Sequence, residues 1–239
     1  MSNVDTSWKV LAHDPIVKLS DNLWWVSGAL PHMTLKRTMT VVRLGGGDLV
    51  VHNPIALEEP AMRELDAWGK IAWLVVPNGM HRLDAPRYKA RYPSAKVLTP
   101  PGARQKVEEQ LTVDATTDAS PIADDAVRFE ALQGVKDAES AMIVRSGDGV
   151  SVVLTDVMFN MDKKQDFLGW AIATAFGSAP GPRVSRLAKL LLIRDQSALR
   201  GDFERLANLP QLTRVIVAHE KVAAGPDAKA ALLTAATYL

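Results

Sequence analysis

Five histidines, at positions 13, 32, 52, 81 and 219, and a complete lack of cysteine set the range of chemistry open to this chain. Without a thiol there is no disulfide framework, no thiolate zinc ligation and no thiol nucleophile, so any metal must be held by imidazole and carboxylate. His81 follows the apolar run IAWLVVP, Asp156 ends VSVVLT, and His219 ends TRVIVA. Each therefore stands at the carboxyl end of a predicted strand, where α/β layouts gather their ligands. Two imidazoles and one carboxylate, with water completing a tetrahedron, suffice for one Zn²⁺ or another divalent ion. Each residue also has a plainer reading: a strand-end His as a hydrogen-bonded structural group, and Asp156 as the opener of the following turn. Asp84, three residues after His81 and just ahead of Pro86, is read first as a helix N-cap and second as a general base or weak fourth ligand. His13, His32 and His52 are assigned no chemistry.

Other constellations are excluded by their residues. No Gly-x-Ser-x-Gly elbow is present, which removes the serine hydrolase site of α/β-hydrolases. Neither Gly-x-Gly-x-x-Gly after a strand nor a P-loop occurs, so dinucleotide and nucleotide-phosphate readings fall away. Gly45, Gly46 and Gly47 are followed by DLVVHNP, a strand and not a helix, which makes them a hairpin turn.

The elements that must position these side chains come in two similar runs. Short strands are predicted over 16–19, 23–26, 39–44 and 49–52, then a helix in LEEPAMRELDAW, a buried strand in IAWLVVP, a helix in APRYKARY, a strand in AKVLTP and a short helix from Pro101 to about Glu109. The polar stretch VDATTDASPIADD reads as a surface loop. Strands then resume as AVRFEALQ, SAMIVRS and VSVVLTD, the last two joined through Gly147, Asp148 and Gly149. Helices are predicted over Arg183–Ile193 and Gln196–Leu206, then the strand TRVIVAH and a closing helix DAKAALLTAATYL. Strands followed by helices, twice over, predict two sheets packed face to face with helices on the outer faces.

The 239 residues, 47% of them hydrophobic, fit one large domain spanning 1–239. A net charge of +1 with interspersed signs leaves no footprint for nucleic acid or an anionic membrane as partner. The longest apolar stretches fall far short of the ~20 residues that span a bilayer. The polar start MSNVDTSWKV lacks the pattern of a secretory signal, so the expected location is cytoplasmic.

Five segments, DNLWWVSG, VVRLGGGDLVVHNP, VVPNGMHRLDAPRYKARYPSAKVLTPPG, VVLTD and RVIVAHEKV with the helix after it, together resemble the metallo-β-lactamase superfamily, and within it a branch with a degenerate metal-binding motif. They cover most of the chain from about Asp21 onward. That superfamily holds one or two metals on a His-x-His-x-Asp-His signature, a His after a Gly, a bridging Asp and a last His. Here Asn78 and Met80 stand where two histidines are expected, leaving His81 and Asp84, and Val135 follows Gly134 where the Gly-His step is expected. Asp156 and His219 match their positions. The resemblance implies an α+β, αββα four-layer sandwich of two mixed sheets and a metal-dependent hydrolase with an eroded site. That site would take at most one metal, zinc or another divalent ion, on His81, Asp156 and His219. Asp156 would ligate the metal or orient water, and Asp84 would act as base, on a small-molecule substrate. The alternative is a non-catalytic small-molecule-binding or structural domain without metal.

The segment from Met158 to Arg183, carrying Phe159, Phe167, Trp170 and Phe176, is read as a helix packed on the core, with a lid or homodimer contact as the sharper alternative. Trp24 and Trp25 point to opposite faces of a strand, so one ring is expected in the core and the other at the mouth of the cleft.

Overall fold

The computed structural model describes residues 4–162 and 177–239. Phe167, Trp170 and Phe176 lie outside the described residues. The first sheet has seven strands in sequential order: β1 (Val17–Ser20), β2 (Leu23–Leu30), β3 (Met33–Arg43), β4 (Asp48–His52), β5 (Lys70–Val75), β6 (Lys96–Thr99) and β7 (Ala115–Thr116). β1 to β4 are antiparallel, joined by tight turns; β4 to β7 are parallel, joined by α1 (Glu59–Trp68), α2 (Ala85–Arg91) and α3 (Arg104–Val107). The second sheet holds β8 (Val127–Ala131), β9 (Ser140–Ser146), β10 (Gly149–Val153), β11 (Leu212–Ile216) and β12 (Val222–Ala224), in the order β12-β11-β10-β9-β8. α4 (Arg186–Leu191), α5 (Gln196–Ala207) and α6 (Pro226–Ala236) complete it.

Three apolar clusters divide the layers. One joins the first sheet to its helices through Val26, Met39, Val51, Met62, Leu65 and Tyr88. A second fills the gap between the sheets with Leu23, Val42, Val50, Met142, Val144 and Ile216. A third packs α5 and α6 on the second sheet through Val152, Val215, Leu199, Phe203 and Leu232. Strands buried on both faces read as continuous apolar runs, as β4 and β10 do. The result is the expected α+β sandwich of two mixed sheets with helices outside.

Several elements depart from the sequence reading. β3 begins at Met33 and not Met39, because Arg37 and Lys36 pair with Gly28 and Ala29 of β2 and lengthen the hairpin into a polar stretch. β7 arises inside the expected surface loop, and β12 follows His219; each is too short to show a period. The helix expected over Arg183–Ile193 is confined to α4, since Arg183 bridges Phe159 in extended backbone and Ser185 caps the helix by accepting from the Ala188 N–H. Of the tryptophan pair, Trp24 is the ring in the core. Trp24 stacks on Trp68 of α1, with ring centroids 3.7 Å apart, while Trp25 packs between the sheets. No helix among the described residues is long and apolar enough to cross a membrane.

Candidate metal centre

Strand direction explains which loops meet. β4 and β5 are parallel, so Asn53 and the loop after Val75, with Asn78 and His81, leave from one end of the first sheet. β10 and β11 are also parallel, which sets Asp156 and His219 side by side at one end of the second sheet. β9 runs against β10, and this brings Glu139, just ahead of β9, to the same end. The two ends are stitched by Thr38 of β3, whose backbone N–H donates to the Ala218 carbonyl at 2.8 Å and whose hydroxyl donates to the Val217 carbonyl at 2.6 Å.

His81, Asp156 and His219 converge there, with one donor atom from each within 4.8 Å of the others. Asp156 Oδ1 lies 3.2 Å from His81 Nε2 and 3.1 Å from His219 Nε2, and Asp156 Oδ2 lies 3.1 Å from His81 Nε2. Each imidazole is oriented from behind. His219 Nδ1 is 2.9 Å from the Lys36 carbonyl oxygen, and His81 Nδ1 is 3.1 Å from Asn53 Oδ1. Asn53 stands at φ +56°, a left-handed conformation that Asn tolerates, and its Nδ2 donates to the Thr38 carbonyl, so its Oδ1 is the atom left to face His81. Both Nδ1 atoms therefore carry the proton, and both Nε2 atoms point at Asp156. Two states satisfy that arrangement: a proton on each Nε2, or a cation between the nitrogens and the carboxylate. The donor set, with its outer acceptors, thus fits one divalent ion of the kind that imidazole and carboxylate hold.

Electrostatics follow from burial and these neighbours. Burial works to raise the Asp156 carboxyl, but the flanking His81 and His219 prevail and hold it well below the usual carboxylate range. Burial works to lower the His219 imidazole, and Asp156 overcomes it and raises it. Glu139 is pushed up to about 8, first by burial and then by the charge of Asp156. His52, inside the fold, is pushed down to about 3 by burial and then by His81. Phe159 covers one face of the centre, stacking parallel on His219 with centroids 5.3 Å apart.

Asp84 does not join the group. Its carboxylate is buried and committed elsewhere: Oδ2 accepts from Arg37 Nη2 and from the Ala56 N–H at 2.9 Å, and Oδ1 accepts from Arg87 Nη1. The base and fourth-ligand roles are corrected on that ground. Asp84 does stand at the N-cap position of α2, as expected, but its side chain caps no α2 amide. Asp156 does not use its side chain to open a turn; both oxygens face the two imidazoles and Asn78. Asn53, Asn78, Glu139 and the Lys36 carbonyl were missed as parts of the site. The visible signals were Asn78, which stands where the resemblance expects a histidine, and an acid, Glu139, set directly before the buried strand SAMIVRS.

No protein-family model matches the chain, and no curated protein matches it. Solved structures do. A metallo-β-lactamase from Pontibacter korlensis, 11% identical, aligns over 94% of this chain and 99% of its own with a TM-score of 0.59. A metallo-β-lactamase from Erythrobacter litoralis with beta mercaptoethanol in its active site is 11% identical, over 94% and 96%, with a TM-score of 0.62. The DIM-1 metallo-β-lactamase is 10% identical, over 95% and 99%, with a TM-score of 0.63. Sheet order, layer order and these alignments agree: the chain has the metallo-β-lactamase fold.

Proposed function

We propose that this chain is a metal-dependent hydrolase with a reduced metal site, holding one divalent ion on His81 Nε2, Asp156 Oδ1 and His219 Nε2 and acting on a small-molecule substrate. The observation that carries the reading is the pairing of inner and outer shells. Three donors lie within 4.8 Å, and both imidazoles are anchored through Nδ1 so that Nε2 faces inward. Zinc or a similar ion would supply Lewis acidity and lower the pKa of water towards ~7. The chain's own part is to hold that geometry: Asn53 and Lys36 fix the rings, and Phe159 screens His219 from water on one face. Asp156, kept ionised by its neighbours, turns Oδ1 to both rings and Oδ2 to His81 and Asn78.

A second reading, a non-catalytic small-molecule-binding domain, draws on one observation: protonated imidazoles alone would satisfy Asp156 at the same distances. Metal content separates the two. Protein purified without chelator should carry metal near stoichiometry, and His81→Ala and His219→Ala should each lose it. Less than ~0.1 metal per chain, with no thermal shift on adding Zn²⁺, Mn²⁺ or Fe²⁺, would exclude the hydrolase reading.

A further inference from the structure

The acid beside the centre is held in an unusual way. Glu139 is buried, 2% exposed, and three N–H donors hold it. Its Oε1 accepts from Asn78 Nδ2 at 2.8 Å and from the Asp156 backbone N–H at 3.1 Å, and its Oε2 accepts from the Val157 N–H at 3.2 Å. Asn78 is 1% exposed and spends every polar atom of its side chain. Its Nδ2 also donates to Asp156 Oδ2 at 2.8 Å, and its Oδ1 accepts from the N–H groups of Met80 at 2.8 Å and His81 at 3.0 Å. An amide nitrogen has two hydrogens, so the two carboxylates each receive their own. The amide cannot be reversed, because both loop N–H groups require an oxygen where Oδ1 stands.

We propose that Asn78 and Glu139 are a positioning pair for the metal site, and this rests on the reading of His81, Asp156 and His219 as ligands. Asn78 ties down Asp156 Oδ2, which lies 3.1 Å from His81 Nε2, and so turns Oδ1 towards both imidazoles, while the same amide fixes the loop that carries His81. Glu139 anchors the Asp156 backbone from behind and holds the Asn78 amide in register. A staple that served the loops alone would need Glu139 to bind Asp156 and Val157, but not an amide shared with the Asp156 side chain. With Asn78 on Oδ2, Oδ1 is the Asp156 oxygen within reach of both imidazoles, which suits the site to a single ion.

The test compares metal-free wild type, Glu139→Gln and Asn78→Ala, each titrated with Co²⁺ and Zn²⁺ by calorimetry and by the visible spectrum of the Co²⁺ form. Near-ultraviolet circular dichroism checks the fold of each. Glu139→Gln keeps the side-chain volume, so loss of binding there is not loss of packing. Affinity should fall about 10- to 100-fold in both variants, with altered position or intensity of the Co²⁺ bands. A folded variant that binds within about twofold of wild type, with unchanged bands, overturns the assignment while leaving the metal site intact. Wild type that binds neither ion overturns the metal reading and this assignment with it.

Discussion

Asp84→Ala tests whether this acid belongs to the fold or to the chemistry. Asp84 is 1% exposed, and the side chains of its partners Arg37 and Arg87 are 4% and 9% exposed. Removing the carboxylate would leave two guanidinium groups inside the protein. Arg87 would retain Asp5 at 3.3 Å, a half-exposed and weak partner. Arg37 would keep only the Ala29 and Pro54 carbonyls, both at 3.4 Å. Breaking a buried ion pair from one side costs about 3–5 kcal/mol. That is a large share of the roughly 5–15 kcal/mol that holds a typical domain together. For a chain of this size the melting temperature should drop by roughly 6–20 °C. Asp84→Asn should cost less, because an amide oxygen still accepts from the Ala56 N–H. Urea unfolding followed by tryptophan fluorescence gives the difference directly, and Zn²⁺ titration of the folded variant supplies the control. A loss below about 1 kcal/mol would refute the buried-pair account. A folded variant with normal stability and Zn²⁺ affinity reduced by about tenfold or more would return Asp84 to the metal site.

Two further outcomes follow from the fold. Gly134→Ala would place a Cβ 2.4 Å from the Asp195 carbonyl oxygen and 2.5 Å from the Leu199 backbone nitrogen, at the start of α5 where backbone cannot yield; it should cost about 1–3 kcal/mol in the same urea assay. Hydrogen bonding to Arg214 holds the Asp148 carboxyl below the ordinary range. Its stabilising contribution is present above the ordinary aspartate pKa of about 3.9 and is lost as pH falls from there through the lowered folded value, so Asp148→Asn should flatten the stability curve in that acidic window.

What could be read in advance was whatever a local pattern encodes. Apolar runs marked β5, β10 and β11, and the segments that follow them carry His81, Asp156 and His219. The glycines at 45–47 marked a turn, and Gly47 indeed takes φ +89°. Asp84 shows where such reasoning stops. An Asp before Ala-Pro has every local feature of a cap, yet a guanidinium 47 residues away claims it, and a buried charge pair outweighs one capping bond. Asn53, Asn78 and Glu139 escaped for a related reason. Asn53 and Glu139 have no ligand spacing to betray them, Asn78 stood out only as the replacement of an expected histidine, and their roles exist only once two sheets meet. β7 and β12 were invisible because two or three residues carry no period.

The stitch made by Thr38 has a consequence for how the molecule opens. His81 hangs from one half and Asp156 with His219 from the other, so a cation held by all three would clasp the halves together. Thr38 closes the same seam through Val217 and Ala218, two and one residues from His219. Prying the layers apart by even an ångström would scatter the donors before any strand unravels. Vacating the clasp would, in turn, loosen the seam while each half kept its own weave.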